Sequence, residues 1–114
     1  MADCLFCKIA RHEIPARIVH EDEDAVAFDD IDPQAPVHVL VVPRRHVPSL
    51  DDLAPEDDAL LGKLQRVAAR VAAKRGLAES GWRLVANVGR DANQIVPHVH
   101  LHVLGGRRMG WPPG

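Results

Sequence analysis

The sequence has few aromatic residues and no strong charge of either sign. Its 114 residues include no tyrosine, two phenylalanines and two tryptophans, and the formal net charge is -2. Basic residues are scattered and adjoin only in short pairs such as Arg44-Arg45. A nucleic-acid backbone needs a broad basic surface, so we expect no nucleic-acid partner, although a small anionic ligand is compatible with this composition.

Long apolar runs are absent as well. No segment has the length of a signal-peptide core or a membrane span, so we expect no membrane partner and a cytoplasmic location. A chain of this length has room for one hydrophobic core. We therefore expect a single domain over residues 1–114.

Hydrophobic periodicity predicts one sheet and two helices. Apolar residues at helical spacing predict a short helix that ends near His12 and a long amphipathic helix over residues 55–76. Five apolar or alternating segments predict strands at residues 17–21, 25–29, 38–43, 82–88 and 97–104. The expected fold class is α+β, with a five-stranded antiparallel sheet, one long and one short helix, and both helices on one side of the sheet.

Histidine is unusually frequent, with seven residues, and three of them alternate with apolar residues near the C-terminus. Side chains alternate across a strand, so His98, His100 and His102 would share the face opposite the core. Three neighbouring imidazoles repel each other when charged, so some should be neutral near about pH 7. Either three histidines hold a catalytic zinc ion, or one neutral imidazole attacks phosphorus while a backbone carbonyl fixes its tautomer.

The two cysteines form the pair Cys4-Leu5-Phe6-Cys7. This spacing is compatible with a metal site, a redox motif or two buried thiols. Only three residues precede Cys4, which leaves no room for the preceding strand of a thioredoxin-like motif. A cytosolic setting disfavours a structural disulfide, and metal binding would need two further ligands, for which histidine is the obvious source.

The histidine pattern itself, His98-Val99-His100-Leu101-His102-Val103, resembles the His-φ-His-φ-His-φ-φ motif of the histidine-triad (HIT) superfamily. Residues 28–36, 38–43 and 105–114 are similar to the Hint branch of that superfamily. The resemblance therefore covers essentially the whole chain. It implies a HIT-like fold in which the sheets of two protomers join across a homodimer, with residues 105–114 as a tail that approaches the partner's active site.

The resemblance implies a hydrolase that binds a purine nucleotide and cleaves purine nucleoside 5′-phosphoramidates or related adenylated compounds without a catalytic cofactor. It assigns His100 as the nucleophile that forms a nucleotidyl-imidazole intermediate. His102 and His38 would hydrogen-bond the phosphate or orient the nucleophile, and Asp30 would accept from the ribose hydroxyls. The other expected nucleotide-binding residues are Leu5, Phe6, Ile9, Phe28, Ile31, Leu40, Asn87, Asn93, Gln94 and Ile95.

Three alternative functions remain open at this point. The chain could be a nucleotide-binding regulatory protein whose hydrolysis is incidental, or a metallohydrolase that uses the three histidines as ligands. It could also be a dinucleoside polyphosphate hydrolase or nucleotidyl transferase of another HIT branch. The ending Trp111-Pro112-Pro113-Gly114 argues against the last of these.

The resemblance also implies a zinc site. Zinc-containing members of the superfamily pair two such cysteines with the histidine of a Pro-x-x-His turn and with the first triad histidine, here His46 and His98. Cys4, Cys7, His46 and His98 would then form a structural site that ties residues 1–12 to the sheet. Loss of zinc should act mainly through stability. The alternative is two free thiols that pack as small hydrophobic groups.

Ile95 departs from the family pattern. In Hint proteins the residue after the loop glutamine is commonly Ser or Thr, whose hydroxyl can reach the leaving group. Isoleucine has no side-chain donor, so we expect weaker cleavage of substrates whose leaving group needs a proton. If Ile95 instead packs in the core, its replacement would lower stability and help no substrate.

Overall fold

A computed structural model describes residues 4–114, so residues 1–3 of the expected N-terminal segment lie outside the described part. Two 3-10 turns, Leu50–Asp52 and Pro55–Asp57, precede the longer helix. Among residues 4–114, no helix combines the length and apolar character needed to cross a membrane. The regular elements are α1 (Leu5–Ala10), β1 (Ile18–Glu21), β2 (Ala25–Asp29), β3 (Val37–Pro43), α2 (Asp58–Lys74), β4 (Trp82–Ala86) and β5 (Leu101–Gly105).

The five strands form one antiparallel sheet in the order β1-β2-β3-β5-β4, which confirms the predicted fold class. The central strands β3 and β5 bring distant histidines together, because Leu40 pairs with His102 and His38 pairs with Leu104. Facing side chains of paired strands lie close to each other. The register therefore places His38 and His102 in the middle of the sheet.

The two helices lie on opposite faces of the sheet, so the expectation that both lie on one side is wrong. The apolar stripe of α2 packs with Ala25, Ala27, Val39, Val41 and Val103, whereas α1 packs with Val26, Phe28, Leu40 and Val42. Successive side chains of a strand point to opposite faces. The continuous apolar runs of β2 and β3 therefore need a covering layer on each side.

Strand β5 begins four residues later than predicted. Residues 97–100 precede the ladder: Pro97 has no N–H to donate, and Val99 N–H donates to Val47 O at 2.7 Å. The alternation nevertheless continues through this segment, since Val99, Leu101 and Val103 are buried in the cluster that packs on α2. His98, His100 and His102 are thus kept on the α1 side of the sheet.

Candidate active site and metal centre

His100 is held in one tautomer by the backbone. Its Nδ1 lies 2.7 Å from the carbonyl oxygen of His98, and since a carbonyl can only accept, Nδ1 carries the proton. In the neutral ring the Nε2 atom then has a free lone pair. The side chain is buried, with 8% of its surface exposed. His100 therefore has the protonation pattern of a nucleophile.

A second chain of hydrogen bonds fixes the tautomers of His38 and His102. The N–H of Gln34 donates to His38 Nδ1 at 3.0 Å, so the proton of a neutral His38 lies on Nε2. That atom is 2.9 Å from His102 Nδ1, which must accept. The remaining proton of His102 is consequently on Nε2, and among residues 4–114 this is the one buried side-chain nitrogen or oxygen that has no partner. It is a donor available to a ligand.

Burial keeps these two rings neutral. Desolvation lowers the pKa of His38, although Asp30 opposes the shift, and Asp30 Oδ2 lies 3.4 Å from His38 Nε2. Desolvation, together with the neighbouring His100 and His38, lowers the pKa of His102 to about 4. Near neutral pH, His102 is therefore an uncharged donor.

Asp30, His38 and His102 bring potential ligand atoms within 4.8 Å of one another, but their hydrogen bonds disfavour a metal ion there. A metal would need a lone pair on His38 Nε2, whereas the Gln34 N–H places the proton on that atom. If the proton of His38 moved to Nδ1, it would face the N–H of Gln34, and two donors cannot form a hydrogen bond with each other. This cluster is better described as a chain of hydrogen bonds that keeps the proton of His102 on Nε2.

The low pKa of His102 predicts a loss of stability in acid. The pKa of His102 is about 4 in the folded protein and about 6.5 in the unfolded chain. Between these values the unfolded state binds more protons, so the free energy of unfolding falls as the pH falls. At about pH 4.5 the contribution of His102 should be reduced by about 2 kcal/mol relative to neutral pH.

Urea unfolding of the wild type and of His102→Gln at the two pH values measures this effect. On acidification, His102→Gln should lose about 2 kcal/mol less of its free energy of unfolding than the wild type does. The lowered pKa of buried His98 acts in both proteins, so its effect cancels in the difference. An equal acid sensitivity of the two proteins would contradict the assignment.

A cavity of about 300 Å³ opens beside His100 and His102. Phe6 forms one wall, with its ring edge-on to Phe28 at 5.5 Å and to His100 at 5.1 Å between ring centroids. Ile31 and Ile95 are 97% and 79% exposed, so they form the rim and neither packs in the core. Most of the residues predicted to bind the nucleotide line this cavity. They are Leu5, Phe6, Ile9, Phe28, Asp30, Ile31, Leu40, Ile95, His100 and His102.

The cavity has further lining residues that the sequence did not indicate. Ile14, Pro15 and Ala16, from the segment between α1 and β1, complete its wall with Val96 and Asp29. The segment has no regular periodicity from which its place in the cavity wall could be predicted. A larger groove of about 700 Å³ adjoins this cavity and also contains His38. The two share Pro15, Ala16, Asp29, Asp30 and Ile31.

Asn87, Asn93 and Gln94 are not among the residues that line the cavity. The amide of Gln94 donates to Pro48 O at 2.7 Å and accepts from Gly89 N, so it holds the loop in shape. Asn93 has a positive φ of 62°, a conformation that asparagine tolerates better than most residues. The expected role of these three residues in nucleotide binding stays a prediction.

The structure brings together the four residues expected to bind zinc. Their potential ligand atoms all lie within 4.8 Å of one another. His98 Nδ1 is 3.3 Å from Cys4 Sγ and 3.2 Å from His46 Nδ1, while Cys7 Sγ is 3.4 Å from His46 Nδ1. The segment that carries both cysteines is α1 with its N-terminal cap, Cys4.

The chemistry of this set fits a tetrahedral zinc ion. His98 Nε2 lies 2.8 Å from Pro43 O, so it donates and leaves Nδ1 as a free ligand atom, the usual arrangement of a metal-bound histidine. Both cysteines are free of disulfide bonds and buried. Without a cation, burial and the nearby Cys4 raise the pKa of Cys7, whereas a zinc ion would stabilise the thiolates. Two sulfur and two nitrogen ligands form a closed, structural type of site.

Comparison with known proteins gives consistent findings. A family model described as "HIT domain" matches residues 11–109. A purine nucleoside phosphoramidase of Escherichia coli is 44% identical over 95% of this chain and 91% of its own length. A HIT family hydrolase from Legionella pneumophila superposes with a TM-score of 0.96 at 50% identity, covering 98% of this chain and 100% of its own. A zinc-bound histidine triad family protein from Mycobacterium smegmatis superposes with a TM-score of 0.79 at 36% identity, covering 99% and 81%.

Proposed function

Because the chain belongs to the HIT domain family, we propose that it hydrolyses purine nucleoside 5′-phosphoramidates or related adenylated compounds through a nucleotide bound covalently to His100. The observation that carries the proposal is the hydrogen bond from His100 Nδ1 to the carbonyl of His98. It leaves the Nε2 lone pair of a buried histidine at an apolar cavity. The similarity to a purine nucleoside phosphoramidase supports the substrate class.

In the first step, the lone pair of His100 Nε2 attacks the α-phosphorus, and the bond from phosphorus to the leaving nitrogen breaks. The departing amine takes up a proton from a water molecule, because neutral His102 could not give up its Nε2 proton without becoming an imidazolate anion. The Nε2–H of His102 instead donates a hydrogen bond that stabilises charge on a phosphoryl oxygen. His38 acts through His102, because its Nε2–H keeps the Nδ1 atom of His102 an acceptor.

In the second step, water attacks the nucleotidyl-His100 phosphorus, and the bond between phosphorus and Nε2 breaks. The products are the nucleoside monophosphate and the free enzyme. Binding of the nucleotide combines an apolar contact and a polar one: the base enters the cavity beside Phe6 and Phe28, and Asp30 accepts from the ribose hydroxyls. The zinc site at Cys4, Cys7, His46 and His98 stabilises the fold when zinc is bound.

Ile95 lies at the rim of the cavity, and the family resemblance places this position next to the leaving group. An amide anion is a very poor leaving group, so protonation matters more for an amine than for a phosphate or carboxylate. We predict that Ile95→Ser raises the turnover of alkyl-amine phosphoramidates about tenfold, or about 1.4 kcal/mol in the barrier. Turnover of an acyl-adenylate, which has a good leaving group, should scarcely change.

Ile95→Ala is the matched control, since it shortens the side chain without adding a hydroxyl. Because Ile95 is 79% exposed, neither variant should lower the melting temperature appreciably. Equal rate changes for both substrate classes, or an equal gain in Ile95→Ala, would refute the leaving-group argument.

The homodimer implied by the family resemblance gives the C-terminal tail a role. Strand β4 is an edge of the sheet, and Trp111 is 82% exposed in the protomer. Tryptophan is enriched in protein–protein interfaces relative to the rest of the surface. We predict that deletion of residues 111–114 changes the preference among leaving groups more than the melting temperature. Unchanged kinetics across several leaving groups would remove this role.

A single-turnover assay tests the proposed function. Enzyme in excess over adenosine 5′-phosphoramidate should release ammonia in one phase and adenosine monophosphate in a second, separate phase. Binding of adenosine monophosphate with no cleavage of the phosphoramidate would favour a regulatory nucleotide-binding protein instead. Simultaneous release of both products, with no detectable intermediate, would contradict the covalent mechanism.

A further inference from the structure

His98 belongs to both sites at once. Its ring supplies Nδ1 to the group formed with Cys4, Cys7 and His46, and its carbonyl oxygen accepts the Nδ1 proton of His100 at 2.7 Å. We propose that His98 is a positioning residue through which metal binding selects the nucleophilic tautomer of His100. The inference rests on the proposed function in that it takes His100 to be the nucleophile, and it adds a direct effect of the metal to its effect on stability.

The position of the His98 carbonyl depends on the His98 ring because the residue is fixed at several points. It is fully buried, its Nε2 donates to Pro43 O at 2.8 Å, and its backbone N–H donates to Val96 O at 2.8 Å. Close packing leaves little room for a compensating shift elsewhere. A displacement of the ring is therefore transmitted to the carbonyl of the same residue.

A bound metal would constrain the position of the His98 ring further. His98 Nδ1 and His46 Nδ1 are 3.2 Å apart, and the hydrogen bond of His98 Nε2 to Pro43 O leaves a lone pair on His98 Nδ1. A shared cation accepts lone pairs from both rings. Without a cation, His46 Nδ1 must carry a proton and donate, or the two rings must separate. The four ligands are thus set in an arrangement that a bound ion stabilises more than their mutual hydrogen bonds do.

Phe6 provides a second connection between the two sites. It lies between Cys4 and Cys7 in sequence, and its ring contacts both histidines edge-on, at 5.9 Å from His98 and 5.1 Å from His100 between centroids. Aromatic rings in such contact restrict one another. When the cysteines are fixed by a metal, Phe6 is fixed against the nucleophile as well.

Metal binding affects the position of the ring proton of His100. With the His98 carbonyl in place, the neutral His100 ring keeps its proton on Nδ1 and its lone pair on Nε2. If the carbonyl moves, part of the population places the proton on Nε2, where the ring cannot attack phosphorus. We expect metal removal to slow formation of nucleotidyl-His100 by about tenfold, because the wrong tautomer of a catalytic histidine is inactive.

The experiment starts from the zinc-loaded full chain and removes the metal with a chelator, well below the melting temperature of the metal-free protein. Long-range proton–nitrogen correlation spectra, recorded above the ordinary histidine pKa, report the tautomer of His100 without any substrate. Rapid quenching measures the rate at which nucleotide is attached to His100. Val71→Ala is the matched control, because Val71 is buried on the α2 face of the sheet, where its truncation lowers stability without touching the metal cluster.

We expect the Nδ1–H tautomer in the loaded protein, a mixture with the Nε2–H tautomer after chelation, and recovery on addition of zinc. Val71→Ala should keep both the tautomer and the rate. The proposal is overturned if His100 keeps its Nδ1 proton after metal removal, if Val71→Ala reproduces the rate loss, or if the four-residue cluster binds no zinc. If the loaded protein attaches no nucleotide to His100, the proposed function fails, whereas the tautomer measurement still decides the coupling.

Discussion

His100→Asn should bind adenosine monophosphate nearly as well as the wild type and lose turnover by about 10⁴-fold or more, as is usual when a nucleophile is removed. Asparagine keeps a polar group that can donate to the His98 carbonyl, but it has no lone pair placed to attack phosphorus. The cavity beside His100 is built mainly from apolar residues and Asp30, so the binding surface survives. Calorimetric titration and steady-state turnover of the same preparation measure the two properties.

His12→Asn is a suitable control for this experiment. His12 is an exposed histidine whose Nε2 contacts Glu21 at 2.9 Å, outside the cavity, and its φ of 60° is one that asparagine accepts. Its turnover should equal that of the wild type. Near-normal turnover of His100→Asn would refute the assignment of His100 as the nucleophile. His102→Ala and His38→Ala should be milder, since each removes hydrogen bonds worth a few kcal/mol at most.

Removal of the metal should produce the largest change in stability. If Cys4, Cys7, His46 and His98 bind zinc, the purified protein should contain about one zinc ion per chain, and Cys4→Ser should contain much less. We expect its melting temperature to fall by about 10 to 20 °C, which corresponds to a loss of about 3 kcal/mol. The reason is that this cluster links α1, and the wall of the cavity that it carries, to the sheet in addition to the apolar contacts of α1.

The control for the metal effect is reversibility. A chelator should lower the melting temperature of the wild type toward that of Cys4→Ser, and added zinc should restore the wild type only. Two thiols that merely pack as small hydrophobic groups would show no dependence on zinc, although serine would still destabilise the buried position. Absence of zinc from protein purified without chelators would therefore count against the site.

The alternation of residues 98–103 was sufficient to predict which side chains face the core and which face the site. Period-two alternation survives even where the backbone is not in the ladder, because Val99 is anchored by its bond to Val47. The start of β5 could not be predicted, since it depends on that contact with a loop distant in sequence. The side of the sheet on which α1 lies was likewise set by tertiary packing.

The sequence predicted those residues of the candidate site whose side chains have a specific chemical function. Histidines in register, a pair of cysteines and an aspartate after a strand each carry a specific chemical capacity. Ile14, Pro15 and Ala16 carry none, and they line the cavity only because the chain passes there between α1 and β1. The tautomers of His38 and His102 could not be predicted from the sequence either. They depend on which hydrogen-bond partners lie near each ring nitrogen, and only the structure shows those partners.

The central claim is that nucleotide becomes attached to His100, and the mass of the protein quenched during turnover tests it most directly. The zinc-loaded chain mixed with adenosine 5′-phosphoramidate should gain the mass of one adenylyl group, which peptide mapping should assign to His100. His100→Asn should gain none under the same conditions. Hydrolysis at a normal rate with no adenylylated protein, or with the label on another residue, would contradict the account.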